Sequence, residues 1–406
     1  MASLSGRALP ALRAWVAAEP DYGVARALLV LATSDGLDDA ELRAELVRAH
    51  RDARVGGERA VSLVHGVFLF THRQYVMAAD HLAGHLASWP GDEAAALMVD
   101  AFAASGSRAY RERGNALVER QYSLAGPGSW VWAGRLAWTR TEQGRVGEAY
   151  DLAVRALELN PRSGLAVHAR AHAEHEMGAG PRSVAFIDEW LSADPQAVQF
   201  RHLNWHATLQ SLAAGDFACA RRRADRVLDR ADVGMRAATN WRLLLAGQVP
   251  ARRTEVEHVR ELLAAPGGMA EVFHTFNLAL ALAVEAATDD LEALAERAAC
   301  DERSEFVRVL APVVRALAHL TAGRPQAAVD LLARLEQEIE VLGGVRVERE
   351  IVQDTLARAL VDAGDPHRAA ELLYHRTHSR VHHVYEDLLL GAPPAQTRIL
   401  EEIPHA

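Results

Sequence analysis

The chain has 406 residues, half of them hydrophobic, with 44 basic and 54 acidic side chains and a formal net charge of -10. That length holds two or three ordinary domains or one long solenoid, and the acidic balance excludes a nucleic-acid-binding face, which needs a basic surface. No lysine occurs, so every basic residue is arginine, which excludes a Walker A loop, a lysine Schiff base and any lysine-dependent kinase-like ATP site.

Alanine, leucine, arginine and glutamate dominate, while isoleucine and threonine are scarce. This composition predicts an all-α protein. No apolar run approaches the roughly 18 residues of a membrane helix, and no signal peptide is visible at Met1, so the expected location is the cytoplasm. The two cysteines, Cys219 and Cys300, form neither a metal motif nor a disulfide framework and are expected as small buried residues.

In chain order, residues 1–58 are expected to form about three capping helices. Helix hairpins then follow at roughly 59–89, 93–120, 130–160, 165–193, 197–231, 235–265, 268–299, 303–342 and 346–378, with a helical tail over 379–406. The hairpins are punctuated by Gly106, Gly144, Gly178, Gly215, Gly247, Gly323 and Gly364, whose spacings are 38, 34, 37, 32, 76 and 41 residues. Glycine after a helix supplies its left-handed end, and a spacing of 30–40 residues is that of helical repeats. The double spacing between Gly247 and Gly323 marks the weakest stretch. The clearest unit is Arg135-Leu-Ala-Trp-Thr-Arg-Thr-Glu-Gln-Gly144 followed by a helix from Glu148 to Pro161, which resembles a tetratricopeptide repeat. The predicted fold is a tetratricopeptide-like α-solenoid, a right-handed superhelix of hairpins able to close around a central pocket.

Two histidine pairs stand out. His168 and His172 are spaced i, i+4, as are His202 and His206, and the second pair starts 34 residues after the first. Each pair shares one helical face, and the offset equals one repeat, so four imidazoles can converge from neighbouring first helices about 10 Å apart. His175 and Glu176 extend the first stripe, and Asn204 and Trp205 lie between the second pair. Three readings stay open: packed core histidines, a zinc or iron site, or acid–base chemistry and polar recognition by imidazoles poised near neutral pH. Trp130, Trp132, Trp205 and Trp241 are candidate pocket walls, with Trp138 expected in the core. His81 and His85, on a second helix, are expected to face outward, and His382 and His383 to be solvated.

The stretch 165–228 resembles the tetratricopeptide repeat protein 38 family. The residues that carry the resemblance are Ala166-Val-His-Ala-Arg-Ala-His172 with Glu176-Met177, then His202-Leu-Asn-Trp-His206, continuing into Gly215-Asp-Phe217. Ala18-Glu-Pro-Asp-Tyr22, Gly57-Glu-Arg-Ala60 and Asp80-His-Leu with Trp89-Pro-Gly-Asp92 extend it towards the N-terminus. Gly343-Gly-Val-Arg-Val-Glu-Arg-Glu350 matches a later family segment at both glycines and Arg349, with Arg346, Glu348 and Glu350 standing for its histidine, glutamine and aspartate. Phe273-His-Thr-Phe-Asn277 replaces a family aspartate–histidine pair. The resemblance implies a polar pocket built from separated segments, so His274, Asn277, Arg346, Glu348 and Arg349 join His175, Asn204, Trp205, Trp130 and Trp132 as expected ligand-binding residues. Arg346 and Arg349, near a helix start, are expected to take an anion.

The functional expectation is a histidine-lined pocket that binds a small polar or acidic molecule and converts it by acid–base chemistry through His168, His172, His202, His206 and Glu176. No cofactor is expected; a metal held by the histidine pairs and a peptide-binding scaffold are the alternatives. The expected partner is a small molecule or peptide, not nucleic acid or membrane, and a homodimer stays open.

Overall fold

A computed structural model describes residues 4–228, 233–335 and 338–391, apart from the side chain of Asp35. The parts of the predicted spans at 1–3, 229–231 and 336–337, and the predicted tail helix beyond 391, lie outside the described residues. All regular structure among the described residues is helical. The helices are α1 (Ala8–Ala18), α2 (Gly23–Thr33), α3 (Asp39–Ala53), α4 (Gly57–Thr71), α5 (Tyr75–Ser88), α6 (Ala101–Ala104), α7 (Arg108–Ala125), α8 (Trp130–Glu142), α9 (Val146–Leu159), α10 (Gly164–Met177), α11 (Pro181–Ala193), α12 (Phe200–Ala213), α13 (Phe217–Arg226), α14 (Val233–Leu245), α15 (Val256–Ala264), α16 (Val272–Val284), α17 (Thr288–Ala299), α18 (Ala311–Thr321), α19 (Pro325–Leu332), α20 (Arg346–Asp362), α21 (Pro366–Ser379) and α22 (Val384–Leu389).

Local chemistry sets many of these ends. Asp38 and Glu41 form a reciprocal capping box at the start of α3, satisfying N–H groups that have no partner within the helix. Asp216 and Asp365 accept from Cys219 N–H at 2.9 Å and Arg368 N–H at 3.1 Å. All seven punctuating glycines take positive φ, from 64° at Gly178 to 89° at Gly364. The register that breaks between Gly247 and Gly323 continues through a different residue. Ala286 lies between α16 and α17 with φ 53°, and Arg73 plays the same part between α4 and α5 with φ 58°. Both hold a conformation that costs a side-chain-bearing residue roughly 1–2 kcal/mol.

The chain forms two compact units. Unit 1 takes the described residues of Met1–Glu174, Ala185–Leu203 and Gly343–Arg346; unit 2 takes those of His175–Val184, Asn204–Leu342 and Val347–Ala406. In unit 1 the helices from α1 to α9 pack mainly on their chain neighbours around a core that includes Leu46, Leu63, Leu82, Phe102 and Trp132. Two alanine sets, Ala133–Ala156–Ala166 and Ala137–Ala153–Ala169, let α8, α9 and α10 approach closely. In unit 2, α14 packs on α16, α17 on α18 and α18 on α19, around Phe276, Leu280, Phe306 and Leu317.

Several expectations are corrected here. His85 does not face outward: it is 3% exposed. Its Nδ1 meets Ser62 Oγ at 2.9 Å and its Nε2 meets Asp92 at 3.0 Å, because a polar cluster, not solvent, fills the α4–α5 seam. His382 is not simply solvated, since its Nδ1 contacts the Gly178 carbonyl at 2.8 Å. Cys300 is exposed, not buried, because it follows the last turn of α17.

Candidate functional site

His168 and His172 ride on α10, and His202 and His206 on α12. Ser163, wholly buried, accepts from Ala166 N–H at 3.1 Å and fixes the start of α10. A methyl group at Gly134 of α8 would come within 3.3 Å of Leu165, so α10 seats closely on α8. This rigid seating aims the first pair.

Within unit 1, three imidazoles converge. His168 Nε2 is 2.9 Å from His172 Nε2 and 3.0 Å from His202 Nε2. The rings stand edge-on, with centroids 4.6 and 4.7 Å apart. The unit division falls inside α12 at Leu203/Asn204, and His206 lies one turn beyond His202 on that continuous helix. The ligand nitrogens of His168, His172, His202 and His206 all lie within 4.8 Å of one another. Among the described residues this group holds no carboxylate or thiolate.

The proton count of such an arrangement is informative. A ring nitrogen either carries one hydrogen or offers one lone pair. The Nε2 of His168 faces two other Nε2 atoms and cannot form a well-directed hydrogen bond with both. A cation placed between them accepts a lone pair from each. Tetrahedral coordination at ~2.0–2.1 Å separates ligand nitrogens by about 3.3 Å, near the 2.9 and 3.0 Å separations at His168. Two of the rings, His168 and His202, are also held neutral. Burial, then the charges of His172, His202 and Arg135, keeps His168 well below the usual imidazole range, and burial pushes His202 down to about 4. Neutral imidazole is the form that ligates metal.

A cavity of about 240 Å³ in unit 1 reaches His168. Arg135, Asp100, Trp138, Leu165, Gln199 and Val345 are among its walls. Arg135 donates to Asp100 Oδ1 at 2.7 Å. Sequence reasoning missed Arg135, Asp100 and Gln199, because Arg135 sits inside the repeat motif and reads as scaffold. The available signal was the Arg135/Trp138 spacing of i, i+3, which puts both on one face of α8. The tryptophan expectations are partly reversed: Trp138 lines the cavity, whereas Trp132 is fully buried in the core. Trp130 is half-buried against alanines of α8, α9 and α10. Trp241 belongs to the core of unit 2 and donates to Thr355 at 2.9 Å.

The other expected site residues occupy different surroundings. Trp205 is buried and meets the ring of His206 edge-on at 5.3 Å. Asn204 accepts from Arg223 at 2.7 Å. His175 and Glu176 join a buried ionic network in unit 2: His175 Nε2 meets Glu350 at 3.1 Å, and Arg380 reaches Glu176 at 3.4 Å and Glu386 at 3.0 Å. Arg376 pairs with Asp354, which also accepts from Tyr385 at 3.1 Å. Opposing arginines keep Glu350 well below the usual carboxylate range despite its burial. His274 and Asn277 line a separate cleft of unit 2 with His258 and Glu261. Arg346 opens α20, and its backbone N–H donates to Glu142 at 3.2 Å. The chain's own carboxylate therefore already stands at that helix start. Glu348 is partly exposed and Arg349 is 8% exposed.

No protein-family model matches the chain, and no curated protein matches it either. No helix among the described residues is long and apolar enough to cross a membrane.

Proposed function

We propose that the chain binds a divalent transition metal through His168, His172, His202 and His206 and presents it to a small molecule entering beside His168. The observation that carries this reading is the four-imidazole group, whose ligand atoms fall within 4.8 Å of one another with no carboxylate among them. An all-nitrogen set of this kind suits zinc first, with copper, nickel and iron as competitors. Acid–base conversion by the histidines alone is the weaker reading, because an imidazole whose pKa lies near 4 is a poor proton acceptor at neutral pH.

We read the helices as tetratricopeptide-type hairpins in a right-handed superhelix, supported by the regular left-handed turns from Gly106 to Gly364. Membership of the tetratricopeptide repeat protein 38 family, as a divergent member, is supported by the histidine motifs of α10 and α12.

The test is elemental analysis of untagged protein, as purified and after reconstitution with zinc. One equivalent per chain is expected, retained through desalting and lost in His168→Ala/His202→Ala. Failure to retain any divalent metal in the folded wild-type protein would sink the proposal.

A further inference from the structure

We propose that the small molecule taken at this centre is a monocarboxylate with a compact apolar body, its carboxylate held between Arg135 and the metal, which it joins as a fifth ligand beyond the four imidazoles. This rests on the metal reading above and extends it to the substrate class.

The first argument is charge. Four imidazole ligands bring no negative charge of their own to a divalent ion, and net charge in a half-buried site is costly. Carboxylate ligands would offset it, but among the described residues the group contains none. Arg135, only 6% exposed, adds a further positive charge at the same cavity. Asp100, with which it forms an ion pair, has a side chain that is 49% exposed, so much of that charge is screened by solvent. An incoming anion is favoured by both cations.

The second argument is shape. The cavity of about 240 Å³ has apolar walls from Trp138, Leu165 and Val345, with one guanidinium and the amide of Gln199. At about 30 Å³ for each water-sized group, it holds roughly eight non-hydrogen atoms. A single guanidinium matches the two oxygens of a carboxylate. A phosphate dianion would need more donors than these walls offer, and its apolar surroundings would go unused.

The probes are 4-methylpentanoate and 4-methylpentanamide, equal in size and differing in charge, titrated into cobalt-loaded protein while the visible cobalt spectrum is followed. The carboxylate is expected to perturb the spectrum and bind at least about tenfold tighter than the amide, the worth of one charge-assisted hydrogen bond. Arg135→Gln is expected to weaken the carboxylate about tenfold with cobalt stoichiometry unchanged. Asp100→Asn, at an exposed position that keeps Arg135, is expected to tighten it several-fold and serves if the Arg135 variant does not fold. Equal binding of acid and amide, or carboxylate affinity indifferent to both substitutions, overturns the substrate class while cobalt binding stands. Protein that takes up no cobalt overturns the metal reading, and this inference falls with it.

Discussion

The imidazole cluster around His168 and the ionic network around Glu350 are both polar groups in the interior, yet they are built on different logic. Around Glu350, Arg376 and Arg380 each buried charge lies within ion-pair distance of an opposite one: these two arginines are shared among Glu350, Asp354, Glu386 and Glu176, and Arg242 joins at Asp354. These pairs tie α20 to α21 and to α22. Around His168 the clustered groups are all of one kind, four imidazoles whose ligand nitrogens lie within 4.8 Å of one another. A network of opposite charges explains itself by structure; four converging imidazole nitrogens make a set of metal ligands. The His85–Ser62–Asp92 cluster differs again, since there an imidazole meets a hydroxyl and a carboxylate.

The largest test of the comparison is Arg380→Ala. Removing one member of a buried, compensated network strands carboxylates and is expected to cost ~3–5 kcal/mol in urea unfolding. A loss below about 1 kcal/mol would mean that the network is not what ties these helices together. Acid titration of the metal-free protein probes the other cluster. His168 and His202 have folded pKa values below their unfolded value of 6.5, with His202 near 4. The fold therefore favours the neutral rings, and stability is full above pH 6.5 and falls as pH drops towards 4. A loss of about 3 kcal/mol from His202 alone is expected across that window, and the total should shrink in His202→Gln; a flat profile contradicts the assignment. Ser62→Ala, which removes the shared partner of His81 and His85, is expected to cost about 1–2 kcal/mol without altering metal content. Ala286→Gly touches neither cluster and relieves a left-handed alanine, so it should raise stability by about 1 kcal/mol in the same urea assay.

Much of the helical frame was legible in the residues, because glycine at a helix end is dictated by backbone sterics. The frame became illegible where Ala286 and Arg73 accept the same conformation, since neither residue type advertises it. The histidine pairs were legible for a similar reason: i, i+4 spacing leaves each pair little freedom. Extending the stripe to His175 failed because seven residues also mean about 10.5 Å of rise. His175 shares the face of His168 but reaches Glu350. The cavity walls were not legible, since which of Trp132 and Trp138 meets open space depends on packing between helices distant in sequence.

The central claim is that four imidazoles share one metal ion. X-ray absorption at the zinc edge of the reconstituted wild-type protein reads the coordination shell directly. The account predicts a nitrogen shell at ~2.0–2.1 Å with outer-shell scattering from about four imidazole rings, reduced in His206→Ala. A shell of oxygen or sulfur without imidazole scattering, or a spectrum indifferent to loss of His206, would contradict it.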